Sequence, residues 1–181
     1  MEKIAPDNRV IRVVLTGSES TGKTMLARQL ADHYSAELAP EFVRDFATRK
    51  GAPVEFADTD DIARGQIALE DEHGARAATL LIQDTDLLST VVYSGHYYGQ
   101  CPDWIRDAAR DRLPDLYLLL EVDVPWIADE VRDRENRREE MQQLFRAAIA
   151  SSGAPYRVIR GSWVERFQRA REAIDSLFTR I

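Results

Sequence analysis

Eight consecutive residues near the start of the chain have the types and spacing of a phosphate-binding loop. They run from Gly17 to Thr24 as GSESTGKT and match G-x-x-x-x-G-K-[ST] at every fixed position. Glycines let successive backbone N–H groups approach an anion, Lys23 would reach the β- and γ-phosphates, and the Thr24 hydroxyl would bind Mg²⁺. We therefore predict ATP and Mg²⁺ as cofactors. The predicted cofactor-binding residues are Gly17, Ser18, Glu19, Ser20, Thr21, Gly22, Lys23, Thr24 and Met25.

Acidic residues follow two of the predicted strands, where ligands gather in an open α/β sheet. Asp84 comes directly after an apolar run, and we predict that it binds Mg²⁺ with Thr24; its alternative role is an N-cap for the next helix. Glu41 is predicted to be a general base or a carboxylate that orients a hydroxyl. Its alternative is a first-turn acid that interacts with the helix dipole. Arg44, one helical turn later, could pair with Glu41 or face the site.

Four arginines stand close together after the fourth predicted strand, at positions 132, 134, 137 and 138. Arginines on a closing lid can stabilise the charge of a phosphoryl group in transfer, and we predict that one or two of these four reach the phosphates. The alternative is a solvated helix face whose charge is balanced by the surrounding acids.

A stretch after the third predicted strand is rich in aromatic residues, among them Tyr93, Tyr98 and Trp104. Its irregular spacing predicts a site-forming loop with hinges at Gly95 and Gly99. Such rings can stack on a flat heterocycle, and a cationic ring gains further attraction from the π face. Core packing is the alternative for about half of them.

The elements that must position these residues alternate between short apolar runs and amphipathic stretches. This alternation is typical of a parallel sheet flanked by helices. We therefore predict an α/β fold of the P-loop NTPase type: a three-layer sandwich with a five-stranded parallel sheet and a small arginine-bearing lid, in one domain over 1–181. The predicted strands are 10–16, 35–39, 78–83, 116–122 and 155–160, and the predicted helices are 23–34, 42–49, 58–73, 137–151 and 162–181.

The last two predicted helices each have an apolar side that we expect to pack on the sheet. In 137–151 the apolar residues fall at i, i+3, i+4, i+7 and i+8. The first side consists of Met141, Leu144, Phe145, Ala148 and Ile149, and the second of Trp163, Phe167, Ala170, Ile174 and Leu177.

Composition limits the class of partner. The chain has 24 Lys and Arg against 31 Asp and Glu, a formal charge of −7, which argues against sequence-independent binding of nucleic acid. The single cysteine, Cys101, cannot form an internal disulfide, and no apolar run approaches the length of a bilayer span. We expect a cytoplasmic protein with no nucleic-acid or membrane partner.

Four segments together resemble the ribosylnicotinamide kinase domain of NadR-type proteins, over about 11–161. They are GSESTGKT, PEFVRDF, DTDLLSTVVYSGHYYG with CPDW, and DVPWIADEVRDR. Kinases of this family phosphorylate nicotinamide riboside with MgATP. The resemblance implies that Glu41, Asp84 and Asp86 lie near the riboside and the metal. It also implies that Arg132 and Arg134 lie on a lid and that Trp104 and Trp126 line or close the pocket. Such domains are typically fused to an adenylyltransferase. Since only about ten residues precede the first predicted strand, we expect a chain without that second activity.

We therefore predict a kinase that transfers the γ-phosphate of ATP to the 5′-hydroxyl of nicotinamide riboside. Two alternatives stay open: a kinase for another nucleoside or nucleotide, and a P-loop ATPase or nucleotide-dependent interaction module. The predicted catalytic residues are Lys23, Glu41, Asp84, Arg132 and Arg134, and the predicted substrate-binding residues are Glu41, Arg44, Asp84, Asp86, Tyr93, Tyr98, Trp104 and Trp126.

Overall fold

A parallel sheet lies between two layers of helices in the computed structural model, which describes residues 9–123 and 135–179. The strands are β1 (Ile11–Thr16), β2 (Glu37–Ala39), β3 (Leu80–Asp84), β4 (Leu116–Leu120) and β5 (Tyr156–Ile159). The helices are α1 (Lys23–Tyr34), α2 (Phe42–Lys50), α3 (Thr59–Arg76), α4 (Leu87–Tyr98), α5 (Asp103–Asp111), α6 (Glu135–Ser152) and α7 (Trp163–Phe178), and a 3₁₀ turn at Phe56–Asp58 precedes α3.

The strand order places β1 at the centre of the sheet. The order is β2-β3-β1-β4-β5, with every neighbouring pair parallel. Leu15 is paired with Asp84 on one side and Thr16 with Leu119 on the other. Because the chain leaves β1 for one side of the sheet and later builds the other, a crevice opens at the carboxyl end of β1. The predicted α/β P-loop fold with five parallel strands is confirmed.

Alternate residues of the central strands pack against different helix layers. Val13 and Leu15 join the cluster that includes residues of α1 and α7, whereas Val14 joins the cluster of α4 and α6. Both faces are covered, so β3 and β4 are buried along their whole length. None of the helices in 9–123 and 135–179 is long and apolar enough to cross a bilayer.

The prediction of a loop in the aromatic stretch is wrong, because two helices occupy it. Asp86 caps the start of α4, and Gly99, at φ 67°, ends it in the left-handed conformation. Gly95 lies inside α4 and is not a hinge. The buried side of this helix mixes leucine and valine with serine, which hides the helical period that an apolar count would detect.

The predicted apolar faces of α6 and α7 are partly wrong. Leu144 and Trp163 are exposed, at 38% and 46%. The polar residues Gln142 and Arg166 are buried in their place, at 2% and 0%. The lid predicted to carry Arg132 and Arg134 lies outside the described residues, as does Trp126, which was predicted to line or close the pocket.

Candidate active site

The phosphate-binding loop joins the end of β1 to the start of α1. Its two fixed glycines have positive φ, 125° at Gly17 and 87° at Gly22. A Cβ on Gly17 would lie 2.8 Å from the Leu120 carbonyl oxygen, and one on Gly22 would lie 2.4 Å from the ring of Trp163. In the described structure no side chain caps the N–H groups of α1 at Gly22. These donors are therefore left for an anion.

Lys23 points back into this loop. Its Nζ donates hydrogen bonds to the carbonyl oxygens of Gly17, at 3.0 Å, and Ser18, at 2.6 Å. Burial lowers the pKa of Lys23, while the carboxylates of Glu41, Asp84 and Glu19 act in the opposite direction. A buried ammonium of this kind would gain strongly from the charge of a bound phosphate.

Thr24 and Asp84 bring two oxygen ligands together beside the loop. The Thr24 hydroxyl donates a 2.6 Å hydrogen bond to Asp84 Oδ2. The second carboxylate oxygen, Oδ1, is buried and accepts no hydrogen bond from the described residues. Oxygen ligands of this type suit Mg²⁺. No group of three or more His, Cys, Asp or Glu in the described ranges could hold a metal, so the other ligands would come from phosphate and water.

A strained turn separates Asp84 from Asp86. Thr85 has φ 68°, and its N–H donates to the carbonyl of Leu15. This region is rare for a β-branched residue and often marks functional sites. Asp86 is thereby directed away from Thr24: it accepts from the Leu88 N–H at 3.1 Å and from the Tyr117 hydroxyl at 2.6 Å. The N-cap of α4 is thus Asp86 and not Asp84, and substrate contact by Asp86 stays a prediction.

Glu41 and Arg44 complete the same cluster from the start of α2. One Arg44 nitrogen donates to Glu41 Oε2 at 3.1 Å and to Thr24 Oγ1 at 3.4 Å. Arg44 therefore does both things that its position allowed: it pairs with Glu41 and faces the site. Burial raises the pKa of Glu41 and the Asp84 charge raises it further, against the cations of Lys23 and Arg44.

The predicted aromatic residues of the substrate pocket differ in their partners. The Tyr93 ring stacks on Tyr97, with centroids 6.0 Å apart. Burial raises the pKa of Tyr93, and the charges of Glu19 and Glu41 raise it further. Tyr98 donates to the Val54 carbonyl at 2.9 Å.

Trp104 lies against the start of α3. Its Nε1 donates to Asp60 Oδ1 at 2.9 Å, and the Arg64 guanidinium lies 4.6 Å from its ring centroid. Substrate binding by Trp104, as by Tyr93 and Tyr98, stays a prediction.

Three residues hold the phosphate-binding loop from α6 and α7, and two of them, Gln142 and Arg166, were not identified from the sequence. The Ser18 N–H donates to Gln142 Oε1 at 2.9 Å. The Arg166 guanidinium donates to the Thr21 carbonyl at 2.9 Å. Arg138, which belongs to the arginine-rich stretch, donates to the Ser20 carbonyl at 3.3 Å. The signal that could have found two of them is a polar residue interrupting the apolar side of a helix.

With this geometry described, comparison with known proteins gives the family. Residues 12–166, most of the chain, match the AAA domain family. The chain belongs to that family. This AAA domain protein is 28% identical over 172 residues to the trifunctional NAD biosynthesis/regulator protein NadR of Escherichia coli K12. The match covers 91% of the chain but 42% of NadR, so the chain spans less than half of that relative.

Solved structures show the same fold. A crystal structure of NadR protein in complex with NR has a TM-score of 0.79 at 23% identity, and one with NAD and AMP-PNP has 0.78 at 23%. Each match covers 92% of this AAA domain chain and 49% of the NadR chain. Thymidylate kinase from Ehrlichia chaffeensis has a TM-score of 0.68 at 16% identity, covering 93% and 99% of the two chains. The resemblance to NadR is confirmed, and the fold is that of P-loop kinases.

Proposed function

We propose that the chain is an ATP-dependent kinase that phosphorylates the 5′-hydroxyl of nicotinamide riboside. The observation that carries the proposal is the convergence of Lys23, the Thr24–Asp84 pair and the Glu41–Arg44 pair at the carboxyl ends of β1, β2 and β3. A phosphate site and a partly buried acid are thus neighbours, as transfer to an alcohol requires. Relatives crystallised with NR and with AMP-PNP support both ligands.

The chain's own residues would divide the work. The loop N–H groups and Lys23 bind the β- and γ-phosphates, and Glu41 accepts a hydrogen bond from the 5′-hydroxyl and orients it. A raised pKa makes the Glu41 carboxylate a stronger proton acceptor than an exposed one. Arg44 bridges the two halves of the site, since it contacts both Glu41 and Thr24.

Thr24 and Asp84 would hold Mg²⁺, which neutralises charge on the β- and γ-phosphate oxygens when bound. Oδ1 of Asp84, buried and without a hydrogen-bond partner among the described residues, fits that role, because a polar atom in this state is costly unless it receives a partner. We also propose that Arg132, Arg134 and Trp126 close over the substrates, and all three lie outside the described residues.

An acceptor panel tests the proposal. Purified protein with MgATP is given nicotinamide riboside, other nucleosides, nucleotides or no acceptor, and ADP release is measured. We expect release with nicotinamide riboside at least about a hundredfold above the no-acceptor rate. The 5′-deoxy analogue of the riboside, which lacks the accepting hydroxyl, is the matched control and should give only the no-acceptor rate.

Membership of the AAA domain family favours one other function, an ATPase without a small-molecule acceptor. The same panel separates the two. ADP release that is equal with and without every acceptor would contradict the kinase and support the ATPase. Release with a different nucleoside alone would keep the kinase and replace the substrate.

A further inference from the structure

Glu41 occupies the N-cap of α2, yet within the described structure its side chain does not cap that helix. An N-cap carboxylate ordinarily accepts from an N–H of the first turn. Here it accepts from Arg44 instead. The first N–H of α2, that of Phe42, donates to Gln66 Oε1 on α3 at 3.1 Å. Gln66 therefore holds the first N–H of α2, next to Glu41, while the Glu41 carboxylate pairs with Arg44.

The Phe42 ring lies over Gly65, the residue before Gln66. A Cβ on Gly65 would be 2.0 Å from Cζ of Phe42, so any side chain there displaces the ring. Gly65 lies inside the 18-residue helix α3, where glycine costs about 1 kcal/mol relative to alanine. Its φ lies outside the left-handed range, and the close approach of the ring is thus the feature that requires glycine.

The Gln66 amide is itself held in one orientation. Its Nε2 donates to Glu70 Oε1 at 3.1 Å, which leaves Oε1 as the acceptor for Phe42. Glu70 Oε2 in turn accepts from Arg12 at 3.4 Å and Arg112 at 3.3 Å. Gln66 and Glu70 are each 3% exposed. Leaving any of these buried polar groups unpaired costs free energy. Each group therefore keeps its role as donor or acceptor, and the Gln66 amide keeps its orientation.

We propose that Gly65 and Gln66 are positioning residues for Glu41. Gly65 leaves room for the Phe42 ring, and Gln66 accepts a hydrogen bond from the Phe42 N–H. Together they fix the backbone next to Glu41, whose carboxylate orients the acceptor. The inference rests on the proposed role of Glu41. Displacement of a reacting group by about 1 Å can cost a hundredfold in rate. Gly65 and Gln66 therefore act on the acceptor half of the site and leave the phosphate-binding loop unaffected.

The first test compares two glycines of α3. Gly65→Ala is expected to lower kcat/KM for the acceptor by about tenfold or more, with less than about a twofold change in ATP-analogue affinity. Gly74→Ala is the matched control, because its Cβ would meet only Leu81 Cδ2 at 3.8 Å, an ordinary contact. Both variants gain the same helix propensity. Equal acceptor kinetics in the two would overturn the proposal.

The second test removes and restores the acceptor for the Phe42 N–H. Gln66→Leu should speed hydrogen exchange of the Phe42 amide, measured by NMR, and lower kcat/KM for the acceptor. The double variant Gln66→Glu/Glu70→Gln keeps an oxygen facing Phe42 and exchanges acid and amide between two buried positions. We expect it to recover both readouts. Faster exchange with unchanged acceptor kinetics would overturn the positioning role.

Failure of the proposed function looks different from failure of this inference. Wild-type protein that turns over no acceptor contradicts the kinase, whatever the variants do. In that case hydrogen exchange of the Phe42 amide still tests whether Gln66 holds Phe42 in place. An unchanged exchange rate in Gln66→Leu overturns the inference. A fall in ATP-analogue affinity equal to the loss of acceptor turnover also overturns the inference, because the variant would then disturb the whole site and not only the acceptor half.

Discussion

At the scale of single residues, the hydrogen bond from Thr24 to Asp84 determines which oxygen of the Asp84 carboxylate is left for a ligand. The hydroxyl uses one carboxylate oxygen and leaves the other buried without a partner among the described residues. The strained Thr85 turn keeps this carboxylate apart from Asp86, whose partners are Leu88 and Tyr117. Two acids in nearly adjacent positions thus have different work: one faces the phosphate-binding loop, and the other caps a helix.

Asp84→Asn tests the metal site. The amide can still accept from Thr24 but removes the negative charge, so the concentration of Mg²⁺ that half-saturates ATP-analogue binding should rise by about tenfold or more. Calorimetric titration with Mg²⁺ measures it. Asp115→Asn is the control, since Asp115 accepts from the Arg12 N–H at the opposite end of the sheet. An unchanged Mg²⁺ requirement in Asp84→Asn would remove Asp84 from the metal site.

At the scale of elements, α6 and α7 hold the phosphate-binding loop through buried polar side chains. Gln142 joins the Ser18 N–H to the Leu120 carbonyl, both at 2.9 Å, and so ties the loop to the end of β4. Arg166 donates to the carbonyls of Thr21 and Glu121 and pairs with Asp123. The two side chains thus hold the backbone of the loop at Ser18 and at Thr21.

Gln142→Leu should weaken both the fold and nucleotide binding. It leaves a buried N–H and a buried carbonyl unpaired, which costs about 2 kcal/mol in the free energy of unfolding, and ATP-analogue affinity should fall severalfold. Chemical denaturation and calorimetry measure the two effects. Gln143→Leu, at the exposed next position of α6, is the control and should change neither. Equal behaviour of the two variants would contradict the role of Gln142.

Glu70 on α3 should make stability depend on pH. Burial raises its pKa to about 7 from 4.5; Asp86 adds to this, and Gln66, Arg112 and Arg12 oppose it. The folded state therefore holds this proton more tightly than the unfolded chain. Its contribution to stability is fully present below about pH 4.5 and is lost as the pH rises through about 7.

Glu70→Gln removes that titration. Between about pH 5 and pH 8 the variant should lose less free energy of unfolding than the wild type, by roughly 3 kcal/mol. Denaturant unfolding at a series of pH values measures the difference. Glu72→Gln, whose side chain is 62% exposed, should follow the wild type. Parallel curves for Glu70→Gln and wild type would show that Glu70 does not titrate differently on folding.

At the scale of the whole molecule, local signals in the sequence predicted the architecture and pointed to several residues that the fold brings together in the candidate site. The phosphate-binding loop, with a β-branched run before it and an amphipathic stretch after it, fixes β1 and α1 together. Acids that follow apolar runs identified Glu41 and Asp84, because strand ends in a parallel sheet meet at one edge. The prediction of a loop in the aromatic stretch failed because serines interrupt the apolar side of α4.

The other residues of the candidate site depend on contacts that no local sequence pattern encodes. Gln142 and Ser18 are 124 positions apart, and Arg166 and Thr21 are 145 apart. Gln66 reaches Phe42 across 24 positions, between two helices whose packing only the fold decides. In α6 and α7 the apolar period predicted that Leu144 and Trp163 are buried. The buried residues are instead the polar Gln142 and Arg166, which make hydrogen bonds to groups of the loop.

Product analysis tests the central claim most directly, because it asks where the γ-phosphate goes. Protein, MgATP and nicotinamide riboside are incubated and followed by phosphorus NMR, with the 5′-deoxy riboside in a parallel sample. We predict one new phosphate monoester on the 5′-carbon for each ADP formed, and none in the 5′-deoxy sample. Inorganic phosphate in equal yield in both samples, with no monoester, would contradict a kinase and show that water is the acceptor.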